Sequence, residues 1–235
     1  LADLCYDYIP DPNDPNTVAT ACNSVKIAIA KEDTPVGCWG DNPDIIFVDS
    51  NATGTQTGID WQNAFSGHDG LQKALYRAAN STCGINGYTI YVAQGTYYPG
   101  IYESDSFVLL DNMEVYGGFR TGGSDFASRN PKKYETILTA QVDEDPEPDI
   151  STIVTAGDNT IIDGFTIEKA IENNILGEGV SFAVKNCQIN NSKQYGIYAL
   201  VGDVTVKSCK VYGNNWHGIY HEGEETTEQT CILCL

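Results

Sequence analysis

Several groups of residues in this chain could do chemistry, and each has a definite spacing. Asp163, Lys185 and Lys207 follow one another at steps of 22, with Thr166, Gln188 and Lys210 beside them. Gathered on one surface they could bind a cation or move a proton, although a stacked Asp/Lys ladder is more simply a set of screened cross-strand pairs. Trp216-His-Gly-Ile-Tyr-His221 supplies two imidazoles but no partnering pair of strand carboxylates, so hydrolysis by two carboxylates is not supported. His217 and His221 flank a short strand and are read as surface residues. Tyr195, Tyr198, Tyr212, Trp216 and Tyr220 recur around what read as corners of a repeat. Stacked and exposed, such rings make a carbohydrate-binding strip or a protein contact; turned inward, they are corner packing. Asp143, Asp145 and Asp149 lie in an acidic run that could hold calcium, as could Asp11, Asp14 and Glu32 or Asp33. No EF-hand loop is present, so solvated turn acids are the simpler account of the N-terminal set.

Eight cysteines form an even set suited to an oxidising compartment. Cys5, Cys22, Cys38, Cys83, Cys231 and Cys234 are the disulfide candidates. Cys187 and Cys209 are 22 residues apart and read as a buried ladder of small apolar side chains, with an adjacent-coil disulfide the alternative. The spacings are not those of a zinc site.

The elements that must position these groups come from one 22-residue unit written three times between Thr160 and Glu222. Thr160-Ile-Ile-Asp-Gly-Phe-Thr-Ile167, Phe182-Ala-Val-Lys-Asn-Cys-Gln-Ile189 and Val204-Thr-Val-Lys-Ser-Cys-Lys-Val211 match in register. Within each, the first and third positions face one side and Asp163, Lys185 or Lys207 the other. Gly164, Asn186 and Ser208 then break the alternation and predict a sharp bend. A unit this short cannot bury an apolar face alone, but stacked copies form parallel sheets around a column of Ile, Val and Phe. The density of Val, Ile, Thr and Tyr, punctuated by Gly and Asn, argues for a parallel β-helix over a helical solenoid.

The 235 residues, 41% of them hydrophobic, suffice for a sizeable core, expected as one main domain. A net charge of −19 repels nucleic acid and anionic lipid, so neither is an expected partner. No apolar run is long enough for a membrane span and no signal peptide is recognised; a first residue Leu1 suggests a processed, mature chain. Residues 1–43 are rich in Pro, Asp and Asn, carry three cysteines and include a strand-like stretch at 24–30, so a disulfide-pinned appendage is expected there. Leu71, Ala74, Leu75 and Ala78 have helical spacing and predict a helix over about 67–81, laid across the open end of the column as a cap. The tail, 223–235, is short and partly apolar. Either it folds over the last coil or another subunit covers that coil, giving a head-to-tail contact.

The succession Phe47-Val-Asp49, Trp61-Gln-Asn-Ala-Phe65, Leu71-Gln72, Ile90-Tyr-Val-Ala-Gln-Gly-Thr-Tyr97, Val115-Tyr-Gly-Gly-Phe119 and Ile162-Asp-Gly-Phe-Thr-Ile167 resembles secreted right-handed parallel β-helix proteins of the pectin-lyase-like superfamily, in particular large bacterial cell-surface members. The resemblance covers roughly residues 45–222. It implies an all-β fold: a right-handed parallel β-helix over 44–235 with a capping helix, behind the N-terminal appendage. Catalytic relatives use clustered Asp for calcium with a basic residue, or paired Asp with a Gly-His-Gly segment; neither set is matched, and no catalytic residue or obligatory cofactor is assigned. The expected role is structural or adhesive at a microbial surface, outside the cell, with further copies of the chain or a surface polysaccharide as partner. Self-assembly into a filament through the terminal segments is one form of that role. The alternative is a polysaccharide-binding or polysaccharide-cleaving protein using the outer face of the coils.

Overall fold

The computed structural model describes residues 44–81, 87–142 and 149–223, and the backbone of 231–232. All of these lie in the unit 37–235. In chain order, β1 (Ile45–Val48) precedes α1 (Gly70–Ala79), followed by β2 (Thr89–Ala93), β3 (Gly95–Tyr97), β4 (Phe107–Val108) and β5 (Glu114–Phe119). After a 3-10 turn at Phe126–Ser128 come β6 (Thr136–Thr139), β7 (Thr152–Thr155), β8 (Thr160–Asp163), β9 (Thr166–Glu168) and β10 (Asn173–Glu178). The series closes with β11 (Phe182–Lys185), β12 (Gln188–Asn190), β13 (Tyr195–Leu200), β14 (Val204–Lys207), β15 (Lys210–Tyr212), β16 (His217–Glu222) and β17 (Cys231–Ile232).

β1 and β2, separated by α1, pair directly; from β2 onward successive strands do not pair with each other, and each pairs with the strand one turn later. Sheet A runs β1-β2-β5-β8-β11-β14-β17, sheet B runs β3-β6-β9-β12-β15, and sheet C runs β4-β7-β10-β13-β16. All strand pairs are parallel, and the chain visits A, B and C in rotation, as in a parallel β-helix. The 22-residue step appears directly as register: Val184 lies beside Ile162 and Val206, Ile189 beside Ile167 and Val211, and Ile197 beside Ile175 and Ile219. Ile162, Ile167, Ile175, Val184, Ile189 and Ile197 are at most 1% exposed and form the column. Cys187 and Cys209 sit in it as buried free thiols, the first of the two alternatives for that pair. Burial pushes the Cys187 thiol up, which keeps it protonated and inert.

The bends occur where Gly, Asn and Ser were expected. Gly164, Asn186 and Ser208 have φ of 86°, 51° and 57° and turn the chain from sheet A to sheet B. Two further sets were not anticipated. Lys169, Asn191 and Gly213, with φ of 70°, 56° and 67°, turn it from B to C, and Gly179 and Val201, at 69° and 55°, from C back to A. A lysine or a valine carries no turn signal in the sequence, yet the stack imposes left-handed backbone on both.

Helix α1 packs near β1 and β4 and buries Leu71, Ala74, Leu75 and Ala78, the face its spacing predicted. It starts at Gly70, not at 67, because the preceding residues are used otherwise. Phe65 bridges to Val48, and the Gly67 N–H donates to the Ser50 carbonyl at 3.1 Å. At the other end, β17 adds to β14 with Val206 beside Cys231, so the tail returns to sheet A of its own coil. Among the described residues, sheets B and C end at β15 and β16. Residues 1–43, with the strand expected at 24–30, lie outside the described residues, as do Cys5, Cys22, Cys38, Cys83 and Cys234 and the side chain of Cys231. No described helix is long and apolar enough to cross a membrane.

Two measurements check this account. Val201 is 63% exposed, so Val201→Gly removes backbone strain with little loss of packing, while Ser208→Val adds strain at the equivalent kind of corner. In urea titrations the first is expected to gain and the second to lose about 1 kcal/mol. Tyr97 is fully buried; its hydroxyl donates to the Ala93 carbonyl at 3.0 Å and accepts from the Ser50 N–H at 3.1 Å. Burial is the main cause pushing its phenol up to about 12. Below about pH 10 the phenol is protonated folded and unfolded, and its contribution is fully present. That stability is lost as pH rises from about 10 towards 12, where the unfolded chain releases the proton first. Melting curves across that range should therefore fall more steeply for the native chain than for Tyr97→Phe.

Candidate functional site

Parallel stacking turns every outward position into a ladder. On sheet A one ladder reads Phe47, Tyr91, Tyr116, Asp163, Lys185, Lys207. Asp163 faces outward as expected, but it is only 7% exposed, because the excursion between β5 and β6 lies over it. Arg129 from that excursion forms an ion pair with the Asp163 carboxylate, and both side chains are about nine-tenths buried. Asn186 adds hydrogen bonds from Nδ2 to both carboxylate oxygens, at 3.1 and 3.2 Å. The guanidinium also stacks on aromatic faces, with Cζ 5.2 Å from the Tyr116 ring centre and 5.4 Å from that of Phe126. The expected Asp163–Lys185 pairing is thus corrected: a buried carboxylate takes the partner that is itself desolvated and can fork hydrogen bonds, which is Arg129. So engaged, the Asp163 carboxylate has its oxygens committed to Arg129 and Asn186. Burial, then the hydrogen bond to Glu114, pushes the Tyr116 phenol up.

Gly164 explains why one corner differs from the two below it. A Cβ there would lie 2.7 Å from Arg129 Nη2 and 2.8 Å from Pro131, so the excursion can dock only on a coil whose corner is glycine. Asn186 and Ser208 occupy the same corner where no described residue is laid over it.

The second constellation lies on sheet C. Tyr195, Tyr198 and Tyr220 project from β13 and β16 together with His217. Tyr198 and Tyr220 stack at 5.2 Å with an interplanar angle of 7°, and Tyr195 stacks on His217 at 5.7 Å and 11°. Trp216 meets the edge of Tyr195 at 5.4 Å and is 61% exposed. Four of the five aromatic candidates are therefore brought together, on strand faces more than at corners, and His217 joins them. Tyr212 does not join. It stands on β15 of sheet B under Lys210 Nζ, 4.4 Å from its ring centre. The Tyr220 hydroxyl donates to Glu222 at 3.2 Å, and that bond, with the carboxylate charge, holds its phenol above the ordinary value. His221 lies apart, its Nε2 2.9 Å from the Gly202 carbonyl.

Of the calcium candidates, Asp149 accepts a hydrogen bond from the Val142 N–H at 2.9 Å and closes the base of its loop. Asp143 and Asp145 lie outside the described residues, as do Asp11, Asp14, Glu32 and Asp33. Among the described residues no group of three or more His, Cys, Asp or Glu is placed to hold a metal ion.

With this geometry in view, one family comparison is decisive. The model of a protein family of unknown function, DUF1565, matches residues 61–229, well over half of the chain. The chain belongs to the DUF1565 family. Searches of curated proteins and of solved structures return no match. The DUF1565 match begins at Trp61 and takes in the excursion that carries Arg129 as well as the whole aromatic face of sheet C. What sequence reading missed is the role of Arg129; the available signal was that Phe47, Tyr91 and Tyr116 share the outward phase of their strands, an aromatic strip that asks for a cover.

Removing one member of the pair strands the other in a buried position. Asp163→Ala should cost about 3 to 5 kcal/mol in urea denaturation, whereas the double variant Asp163→Leu with Arg129→Met should cost distinctly less than the two single changes added together.

Proposed function

We propose that the protein is a secreted structural or adhesive β-helix of a cell surface, of the right-handed pectin-lyase-like kind, and that the sheet C aromatic face is its contact surface. The observation that carries this reading is the joined, solvent-facing group of Tyr195, Tyr198, His217, Tyr220 and Trp216 on the last two complete coils. Large rings in water gain most by being covered, and aromatic residues are enriched where proteins meet proteins. The ring geometry favours a protein partner. Tyr198 and Tyr220 stack along the direction in which coil lies on coil, a row that a strand from another chain would extend.

A second copy of the chain is the simplest such partner. β15 and β16 are the last described strands of their sheets, and a copy adding there would continue the parallel stacking that already joins coil to coil. The contact is head-to-tail, and one that does not close extends into a filament. Right-handedness of the coil accords with the general rule for parallel crossovers. The net charge of −19 and the eight cysteines accord with an extracellular setting.

Electron microscopy of the native, unreduced protein across a concentration series tests this directly. Ordered fibres are expected for the native chain, and their loss or a marked rise in the concentration they require for Trp216→Ala and Tyr195→Ser. Isolated short rods at every concentration, unchanged by either substitution, would sink the assembly reading. Calcium-dependent loss of a uronic-acid polymer in the same samples would move the function to polysaccharide cleavage.

A further inference from the structure

The outer face of sheet A carries a second feature, unrelated to the sheet C contact. Between the start of β1 and β2 and the excursion that follows β5 lies a cleft of about 690 Å³. That is within the span of about 300–1,000 Å³ typical of small-molecule sites. Its apolar lining is aromatic. Trp61 lies 5.0 Å from Phe47 and 6.5 Å from Tyr91, and Phe126 lies 5.6 Å from Tyr91, with the rings set at angles from 22° to 84° to one another. Rings inclined in this way wall a concavity, unlike the face-to-face pair on sheet C.

The polar groups are few and close to those rings. Arg120 is held through Nε by the Gly123 carbonyl at 2.6 Å. Asp125 is exposed, and its carboxylate makes no hydrogen bond or ion pair with any described residue. The Ser124 hydroxyl is buried and has no hydrogen-bond partner, although it belongs to the cleft lining.

The wall is also held in place before any ligand arrives. Asp49, 1% exposed, accepts the Gly122 N–H at 2.7 Å, and Trp61 Nε1 donates to the Ser124 carbonyl at 3.3 Å. Gly123 has φ of 81°, and a Cβ there would fall 2.0 Å from the Trp61 ring, so ring and turn are fitted to each other. With Arg129 docked on Asp163 at the far end of the excursion, the cleft loses little entropy on binding.

We infer that this cleft is a binding site for a neutral saccharide segment. A pyranose has an apolar C–H face that aromatic rings cover and a rim of hydroxyls that both donate and accept. The Arg120 guanidinium, the Asp125 carboxylate and the hydroxyl-bearing Ser128 and Tyr134 beside the rings match that rim, whereas a uniformly anionic polymer would meet Asp125 and a surface of net charge −19. The binding is non-covalent. It supplies an adhesive chain with a ligand class of its own, independent of contacts between copies.

Titration calorimetry with neutral hexasaccharides of glucose, mannose and xylose, with hexagalacturonate as the anionic comparison, tests the site on the full chain. At least one neutral hexasaccharide is expected to bind, with affinity falling about tenfold or more in Asp125→Ala and in Phe126→Ala. Both residues are surface-exposed, so these variants should fold, and unchanged melting curves verify it. Tyr220→Ser, on sheet C, should bind as the native chain does. Adsorption to the corresponding insoluble polysaccharides then tells a polymer ligand from a free oligosaccharide. Absence of binding to every neutral probe, tighter binding of hexagalacturonate, or binding that survives both cleft substitutions would each overturn the assignment. Fibre formation bears on the sheet C contact alone, so the two ideas fail separately.

Discussion

The structure depends on one constraint, that a strand pairs only with its counterpart one turn on. Inside the sheets the backbone N–H and C=O groups are satisfied by the neighbouring coils, so a strand whose pairing slipped by one residue would move its inward side chains to the outer face. Corresponding residues stay 22 apart from β8 to β16, while an earlier connection differs in length without changing which side chains face inward, as with Val154 beside Ile175. The constraint also explains the left-handed backbone of residues as unsuited to it as Val201. The energy of continued pairing and of a filled column outweighs a local strain of about 1 to 2 kcal/mol.

The same constraint builds surfaces. Because register is fixed, side chains at one outward phase form continuous rows, and what each row does depends on what lies over it. On sheet A the row begins with aromatics and passes through Asp163 to two lysines; the excursion after β5 covers the middle of it and is held there by Arg129. Both groups of the ion pair are out of water, and each has a further partner, Asn186 for the carboxylate and Tyr116 and Phe126 for the guanidinium. On sheet C no described residue covers the row, and its rings stack along the direction of coil stacking.

These differences separate the two aromatic groups physically. The sheet C rings stack in rows along the direction of coil stacking, a geometry suited to continued packing by another protein surface. The rings of the sheet A cleft are inclined, part-buried and accompanied by Arg120 and Asp125, a geometry suited to a small polar ring. Asp163, which the spacing alone placed among candidates for chemistry, belongs to the scaffold that positions the cleft.

The amino-acid order by itself determined the repeat, the parallel β-helix, the inward residues, the corners at Gly164, Asn186 and Ser208, and the helix centred on Leu71 to Ala78. These are local or periodic properties, written in side-chain type at fixed spacing. It also identified Tyr195, Tyr198, Trp216 and Tyr220, since two of them hold the same place in successive repeats. The tertiary structure alone decided that Tyr212 stands apart, that Arg129 and not Lys185 pairs with Asp163, and that Trp61 closes over Gly123. Arg129 is 34 residues from Asp163 and Trp61 is 63 from Ser124, separations at which no periodicity applies. Such contacts form because an aperiodic excursion must bury its own apolar and charged groups somewhere, and the outer face of sheet A, with its aromatic strip and a glycine corner, is where they fit.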